Sequence, residues 1–162
     1  MALLVFLALS VLAWLTLREA RRLTRRRPRQ DRRMSERLTD PREAAAILLV
    51  QQASYAGPLT VAQKQTILAL MRGAFGVEAG EAEGLYSFGV AAIGQTGDAA
   101  NSLRRLVVPI RDACTLEEMK DLAAMMEQVG AADGPMNEHQ RRLLDELRRA
   151  LSLPDPVQAP RP

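Results

Sequence analysis

Two short segments of the chain, 77 positions apart, repeat one pattern and constrain the fold more than any other feature. The first is AGPLTVAQ, from Ala56 to Gln63, and the second is DGPMNEHQ, from Asp133 to Gln140. The glycine, proline and glutamine positions coincide, and apolar residues follow each segment at the same spacing, which indicates two copies of one helical unit. Two copies are too few for a solenoid, so the sequence predicts one domain with an internal pseudo-repeat.

The spacing of apolar residues beyond position 40 predicts an all-α domain. They recur every three or four positions, and no stretch alternates apolar and polar residues as a half-buried strand does. Asp40-Pro41 is typical of a helix start, and capping boxes begin at Thr60 and Thr115. We expect a bundle of about six helices, near residues 40–55, 60–73 or 60–76, 79–95, 99–113, 115–129 and 137–151.

Several helices carry more specific expectations. The predicted core face of the third helix consists of Leu85, Phe88, Val90 and Ile93, and that of the fourth consists of Leu103, Leu106, Val107, Ile110 and Ala113. Gly84 and Gly89 predict close packing against a neighbouring helix, and Pro109 predicts a kink. The helical spacing of Met119, Met125, Met126 and Met136 favours core positions over a soft metal site.

An apolar run of sixteen residues at the N-terminus, ALLVFLALSVLAWLTL, predicts a transmembrane anchor over residues 1–17. At 1.5 Å per residue the run covers roughly 24 Å, slightly less than the ~30 Å hydrocarbon layer of a bilayer. Trp14 lies near the end, where an aromatic side chain meets lipid headgroups. The alternative is a cleaved secretory signal, which normally begins with positive charge, whereas no Lys or Arg precedes this run.

A block of nine arginines follows the apolar run and sets the expected topology. Against Glu19 and Asp31, the block contains Arg18, Arg21, Arg22, Arg25, Arg26, Arg27, Arg29, Arg32 and Arg33. Because positive charge next to a span is retained in the cytoplasm, we expect a single-pass protein of the inner membrane, with its N-terminus outside and its domain inside.

Membrane lipid is the expected partner of this basic block. Anionic headgroups attract basic residues beside a span, and the residues predicted to meet them are Trp14, Arg18, Arg21, Arg22, Arg25, Arg26 and Arg27. Nucleic acid is the weaker alternative, because no aromatic side chain interleaves the arginines to stack on bases. The block accounts for the basic character of the chain: the whole chain has net charge +3, and the part from Met34 onward is about −4.

These observations divide the chain into an anchor (1–17), a basic juxtamembrane linker (18–39), a helical domain (40–153) and a disordered, proline-rich tail (154–162). Cys114 is the only cysteine, which excludes an intramolecular disulfide and fits a reducing compartment. A catalytic pair of Cys114 and His139 is an alternative, but a lone cysteine is more often a small buried hydrophobe. The sequence contains neither a phosphate-binding glycine loop nor a nucleophile–base set, so we predict that the protein is not an enzyme.

The second copy of the repeat contains the candidate metal ligands. Asp133, Asn137 and Glu138 offer oxygen atoms to a divalent cation, which could be calcium, magnesium, manganese or zinc. An EF-hand is excluded because the twelfth position counted from Asp133 is Leu144 rather than a glutamate. The glycines and helix caps also explain most of the repeat as a purely structural turn, with no ligand.

Ala132-Asp133-Gly134, two loop residues and a capped amphipathic helix resemble the C-terminal signature of the TerB-like family, named for tellurite resistance proteins. The resemblance covers about residues 40–153 and includes Leu103-Arg104-Arg105-Leu106 and Thr115-Leu116-Glu117-Glu118. It implies an all-helical bundle in which two acidic loops, each followed by a helical glutamate, lie close together and bind divalent metal. At the four acidic positions this chain has Ala56, Asp133, Gln63 and Gln140, so three of them are neutral.

An N-terminal anchor before a TerB-like domain is also similar to the front of the membrane-anchored DnaJ-type co-chaperones, although this chain has no His-Pro-Asp motif of a J domain. The leading hypothesis is therefore a non-enzymatic protein-interaction module, tethered to the membrane and acting in envelope or stress physiology. A divalent-metal-binding stress protein that uses the Asp133 loop is the alternative. The sequence identifies no protein partner and leaves self-association open.

Overall fold

Six α-helices form the part of the chain that the structure, a computed structural model, describes: residues 40–94 and 99–154, without the side chains of 99–102. The helices are α1 (Pro41–Ser54), α2 (Val61–Phe75), α3 (Ala79–Ile93), α4 (Ala99–Ala113), α5 (Leu116–Gly130) and α6 (Glu138–Ala150). No strand occurs in these ranges, and all of them belong to one unit, Leu38–Pro162. The predicted all-α class and the number of helices are confirmed.

Other sequence predictions lie outside the described residues. These are the anchor at 1–17 with Trp14, the basic linker at 18–39 with its arginines, the loop at 96–98 and the tail from 155 onward. Within the described ranges, no helix combines the length and the apolar character that a membrane span needs.

The first helix begins at the predicted cap. Asp40 accepts a hydrogen bond from the backbone N–H of Arg42 at 2.8 Å, and Pro41 occupies the first helical turn. The Arg42 guanidinium also donates to the Asp40 carboxylate at 3.0 Å, and this hydrogen bond lowers the pKa of the Asp40 carboxyl. A second ion pair from Arg42, to Glu81 at 3.0 Å, joins the start of α1 to α3.

Helix α1 is the centre of the bundle. Ten consecutive residues, Ala44 to Ala53, are buried, and the helix contacts each of the other five. A helix that is apolar on all sides must be covered on all sides, because an exposed apolar face gains nothing from folding. The alanines and aliphatic residues of the stretch AAAILLV make α1 narrow enough for several helices to approach it.

Close packing was predicted at two glycines of α3, and only Gly89 mediates it. A Cβ atom added to Gly89 would lie 3.0 Å from the backbone oxygen of Ala46 and 3.0 Å from Cγ2 of Val50, so α3 touches the backbone of α1 there. The prediction for Gly84 is wrong, because a Cβ atom there would meet nothing within 4 Å. Val90, expected in the core, is also 40% exposed, because the positions that α3 buries fully are Ala82 and Gly89 rather than its larger residues.

The remaining core predictions are confirmed with one exception. Leu103, Leu106, Val107 and Ile110 of α4 are buried, as are Leu122, Met125, Met126 and Val129 of α5. Met119 and Met136 pack against this core, which confirms the structural interpretation of the methionines. Ala113 is exposed because it lies at the last position of α4, where the helix leaves the core. Helix α4 continues through Pro109.

Candidate functional site

The two copies of the repeat form two loops, defined as loop A (residues 55–60) and loop B (132–137). Each turns at a glycine with positive φ, +128° at Gly57 and +136° at Gly134, a conformation that favours glycine because it has no Cβ atom. The Gly57 N–H donates to the Ser54 carbonyl at 3.1 Å, and the Gly134 N–H donates to the Ala131 carbonyl at 3.2 Å. The repeat in the sequence is therefore also a repeat in backbone geometry.

Each loop ends in a capping box that contains a glutamine. In loop A, the Thr60 hydroxyl accepts the Gln63 N–H at 3.1 Å, and Oε1 of Gln63 accepts the Thr60 N–H at 3.1 Å. In loop B, Oδ1 of Asn137 accepts the Gln140 N–H at 2.9 Å, and Oε1 of Gln140 accepts the Asn137 N–H at 3.0 Å. The two glutamines are each only 1% exposed, so their remaining polar atoms also need partners inside the protein.

Those partners are carbonyl groups at the C-terminal end of α1. Nε2 of Gln140 donates to the carbonyl of Gln52 at 3.1 Å, and Nε2 of Gln63 donates to the carbonyl of Ala53 at 3.5 Å. Nδ2 of Asn137 donates to the carbonyl of Tyr55 at 2.8 Å. The last carbonyls of a helix have no partner within it, so these three amide side chains, from α2, loop B and α6, complete the end of α1.

Each glutamine side chain both accepts and donates a hydrogen bond, and this explains why positions 63 and 140 carry amides. At each glutamine, the oxygen must accept a backbone N–H while the nitrogen donates to a backbone carbonyl. An ionised carboxylate accepts hydrogen bonds but donates none, and it would place its second oxygen against a carbonyl oxygen. A glutamate at Gln63 or Gln140 would therefore break the contact with α1.

The loops also contact each other directly. The Thr60 hydroxyl donates to Oδ2 of Asp133 at 2.8 Å, and Asn137 of loop B bonds the Tyr55 carbonyl of loop A. Each capping residue thus reaches the opposite loop. The TerB-like resemblance implied that the loops are close together, and the structure places them in hydrogen-bonding contact.

Gln52 of α1 lies in a tight space between Gly130 and Met136, and the sequence analysis did not predict it. A Cβ atom at Gly130 would lie 2.6 Å from the sulfur of Met136 and 2.7 Å from Nε2 of Gln52, so this approach requires the glycine. Gln52 is completely buried, its Nε2 contacts the Met136 sulfur at 3.5 Å, and its Oε1 has no partner among the described residues. A pair of glutamines at the end of an otherwise apolar helix was the signal that could have identified it.

The three predicted metal ligands have different hydrogen-bond partners. Asp133 accepts from Thr60, Asn137 uses its side-chain oxygen and nitrogen in the cap and in the bond to Tyr55, and Glu138 pairs with Arg142 at 2.6 Å. No group of three or more His, Cys, Asp or Glu side chains suited to a metal occurs in the described ranges. Hard cations need several converging oxygens, and in this structure oxygens of all three residues already take part in separate hydrogen bonds or ion pairs.

The alternative catalytic pair is divided between the two ends of α1. His139 lies at the loops, with its ring centroid 6.3 Å from that of Tyr55. Cys114 instead lines a groove at the start of α1, beside Pro41 and Arg42. The fourteen residues of α1 separate the two ends by roughly 20 Å, because a helix rises 1.5 Å per residue.

The family model described as "Tellurite resistance protein TerB" matches residues 42–157, which include both loops and almost all of the helical bundle. The chain belongs to the TerB family. No curated protein and no solved structure matches it. Its TerB domain is a helical module of the tellurite-resistance type, in which the two loops are joined through amide side chains.

Proposed function

We propose that this chain is a membrane-tethered TerB module that acts as a non-enzymatic protein-interaction unit in an envelope or tellurite-type stress response. The proposal rests on the hydrogen bonds that the amide side chains of the two loops and their capping boxes make. The amides of Gln63 and Gln140 donate to α1 carbonyls and that of Asn137 to the Tyr55 carbonyl just after α1, so the paired loops act as a brace for the bundle rather than as a reaction centre.

The surface of this TerB domain supports a role in binding proteins rather than in chemistry. Ion pairs at or near the surface tie neighbouring helices together, from Lys64 to Glu83 and from Arg148 to Glu127. Such pairs contribute little stability individually, about 0.2–1 kcal/mol. They do fix the positions of surface charges, which a partner could recognise by complementary charge.

The tether is supported by the sequence that precedes the domain. Residues 2–17 are apolar, and nine arginines follow between 18 and 33. A domain on such a tether meets its partners at the membrane surface, where a restricted volume raises their effective concentration. The proposed location is the cytoplasmic face of the inner membrane.

Cross-linking in intact cells tests the proposal. We would compare the full chain with two variants: one that replaces residues 1–33 with an unrelated single span of the same orientation, and one that keeps 1–33 but carries a scrambled domain. We expect a specific protein partner with the first two proteins and none with the third. Equal recovery with the scrambled domain would contradict an interaction role for the TerB domain.

A tellurite challenge separates the tether from the domain. Cells that lack the gene should lose tolerance, and the full chain should restore it better than a fragment that begins at Met34. Equal rescue by both would contradict the need for a tether. A reporter fused to the C-terminus tests topology independently, since activity outside the cytoplasm would contradict the proposed orientation.

A further inference from the structure

A groove at the N-terminal end of α1 has the size and lining of a ligand site. Its volume is about 300 Å³, and α1, α2, α4 and α5 all contribute to it. Its apolar lining includes Phe75, Ile110, Leu122 and Met125. This volume is at the lower end of the range of small-molecule sites, which are mostly apolar with a few charged groups that orient the ligand.

We call this groove the end groove. The charged side chains that line it and are not already neutralised by an ion pair are negative. Arg42, Glu118 and Asp121 line it. Arg42 is already paired with Asp40 and Glu81, each at 3.0 Å. Asp121 has no hydrogen bond or ion pair within the described part of the chain, so its carboxylate can accept a ligand donor.

Glu118 adds a second, fixed negative charge. Its Oε2 accepts the Thr115 N–H at 2.7 Å and the Thr115 hydroxyl at 2.9 Å, which orients the carboxylate at the start of α5. These hydrogen bonds lower the pKa of the Glu118 carboxyl, so it is ionised at neutral pH. The groove thus combines an apolar wall with two neighbouring carboxylates.

We propose that the end groove binds a small apolar organic cation, such as an aromatic or aliphatic primary amine. The apolar body of the ligand lies against Phe75, Ile110 and Leu122, and its ammonium group lies between Asp121 and Glu118. Cys114, in the same lining, is no competing anion, because burial raises the pKa of its thiol. No covalent step is involved.

Cys114 provides the readout, because it is the only cysteine and lines the groove. The full chain, in nanodiscs of zwitterionic lipid, is alkylated with the neutral reagent iodoacetamide in the presence of 2-phenylethylamine, 2-phenylethanol or 3-phenylpropionate. We expect the amine to slow alkylation at about fivefold lower concentration than the alcohol. A preference of about fivefold is the upper end of what an exposed ion pair contributes to binding. The carboxylate should not protect, and N-acetylcysteine controls for direct reaction with the probes.

Two variants assign the effect. Asp121→Asn should remove the preference for the amine over the alcohol, while Asp145→Asn, on α6 and outside the groove, should keep it. Both positions are exposed, so both variants are expected to fold, and circular dichroism checks this. The proposal is overturned if no probe protects Cys114, if the alcohol protects as well as the amine, or if Asp121→Asn keeps the preference.

Discussion

The paired loops and the start of α5 use the same capping motif in opposite environments. All three sites have a capping box, but the third residue of the helix is Gln63 or Gln140 at the loops and Glu118 at α5. The glutamines are buried and donate to α1, whereas Glu118 is exposed and only accepts. A capping box tolerates a charge at the surface, and it requires an amide where the same side chain must also join two helices.

The largest expected effect on stability is that of Gln140→Glu, which replaces the buried amide of the loop B capping box by a carboxylate. The variant keeps the cap but places a carboxylate oxygen against the Gln52 carbonyl in a site that is 1% exposed. We expect it to lose about 3 kcal/mol of unfolding free energy at neutral pH, because a buried charge is left without a partner. Urea denaturation of the Leu38–Pro162 fragment measures the loss.

Gln63→Glu is the matched control for this variant. Its loss should be smaller, because the Gln63 amide lies 3.5 Å from a carbonyl that also accepts the Ala56 N–H at 3.0 Å. Burial raises the pKa of each new glutamate in the folded state, so both losses should shrink as the pH falls from neutral and should be gone by about pH 4, where the glutamate is protonated in the folded and unfolded states alike. Equal losses, or losses independent of pH, would show that the contacts to α1 do not select the amide.

Asn137→Asp separates the cap from the bond across the loops. The variant retains a good capping oxygen but loses the donor that reaches the Tyr55 carbonyl at 2.8 Å. We expect a loss of about 1.5 kcal/mol, the cost of one partly buried hydrogen bond. Thr60→Ser keeps its hydroxyl and should change the unfolding free energy by much less; a neutral Asn137→Asp would argue that the bond to loop A contributes no stability.

A smaller effect is expected from Glu118→Gln, which makes the α5 box resemble the boxes of the loops. The folded-state pKa of Glu118 is lowered by hydrogen bonds from Thr115, so ionisation stabilises the fold above the unfolded-state pKa, and this contribution is lost as the pH falls through the folded-state value. The variant should be less stable than the parent near neutral pH and equal to it in acid. Thermal melts from pH 2 to 7 test this, and a difference that grows in acid would reverse the assignment.

No effect at all is expected from Asp133→Ala in metal titrations. Calorimetry with calcium, magnesium, manganese and zinc should give the same heats for parent and variant, because the side-chain oxygens around loop B already serve the protein. Heats that disappear in the variant would support metal binding after all. The triple variant Ala56→Asp/Gln63→Glu/Gln140→Glu restores the acidic pattern and shows whether the assay can detect a site at these loops.

Periodicity and caps predicted most of the fold. Thr60, Thr115 and Asn137 cap the helices that the sequence assigned to them, because capping depends on residues only three positions apart. Orientation was harder to predict. The exposure of Val90 and the open space at Gly84 depend on how α3 rotates against α1, which no local pattern specifies.

The site was predictable in its turns and not in its connections. Gly57 and Gly134 mark the positions of the loops in the sequence, because a positive φ favours glycine. The bond from Gln140 to the Gln52 carbonyl joins residues 88 positions apart and ends on a backbone atom, so no side-chain motif encodes it. The sequence shows that Gln63 and Gln140 stand where the family has acidic residues. Only the structure shows that their amide nitrogens donate to carbonyls of α1.

The end of α1 also has a consequence during synthesis of the protein. The carbonyl of Gln52 in α1 and that of Tyr55, just after the helix, gain their partners Gln140 and Asn137 only 88 and 82 residues later. The ten buried residues of α1 are covered only when the helices between have been synthesised. At about 5–20 residues per second, roughly 5–20 s of translation separate the emergence of α1 from that of its final contacts. During this interval the nascent chain exposes the helix that has the most buried residues in the folded domain, and in that time it is most vulnerable to aggregation or proteolysis.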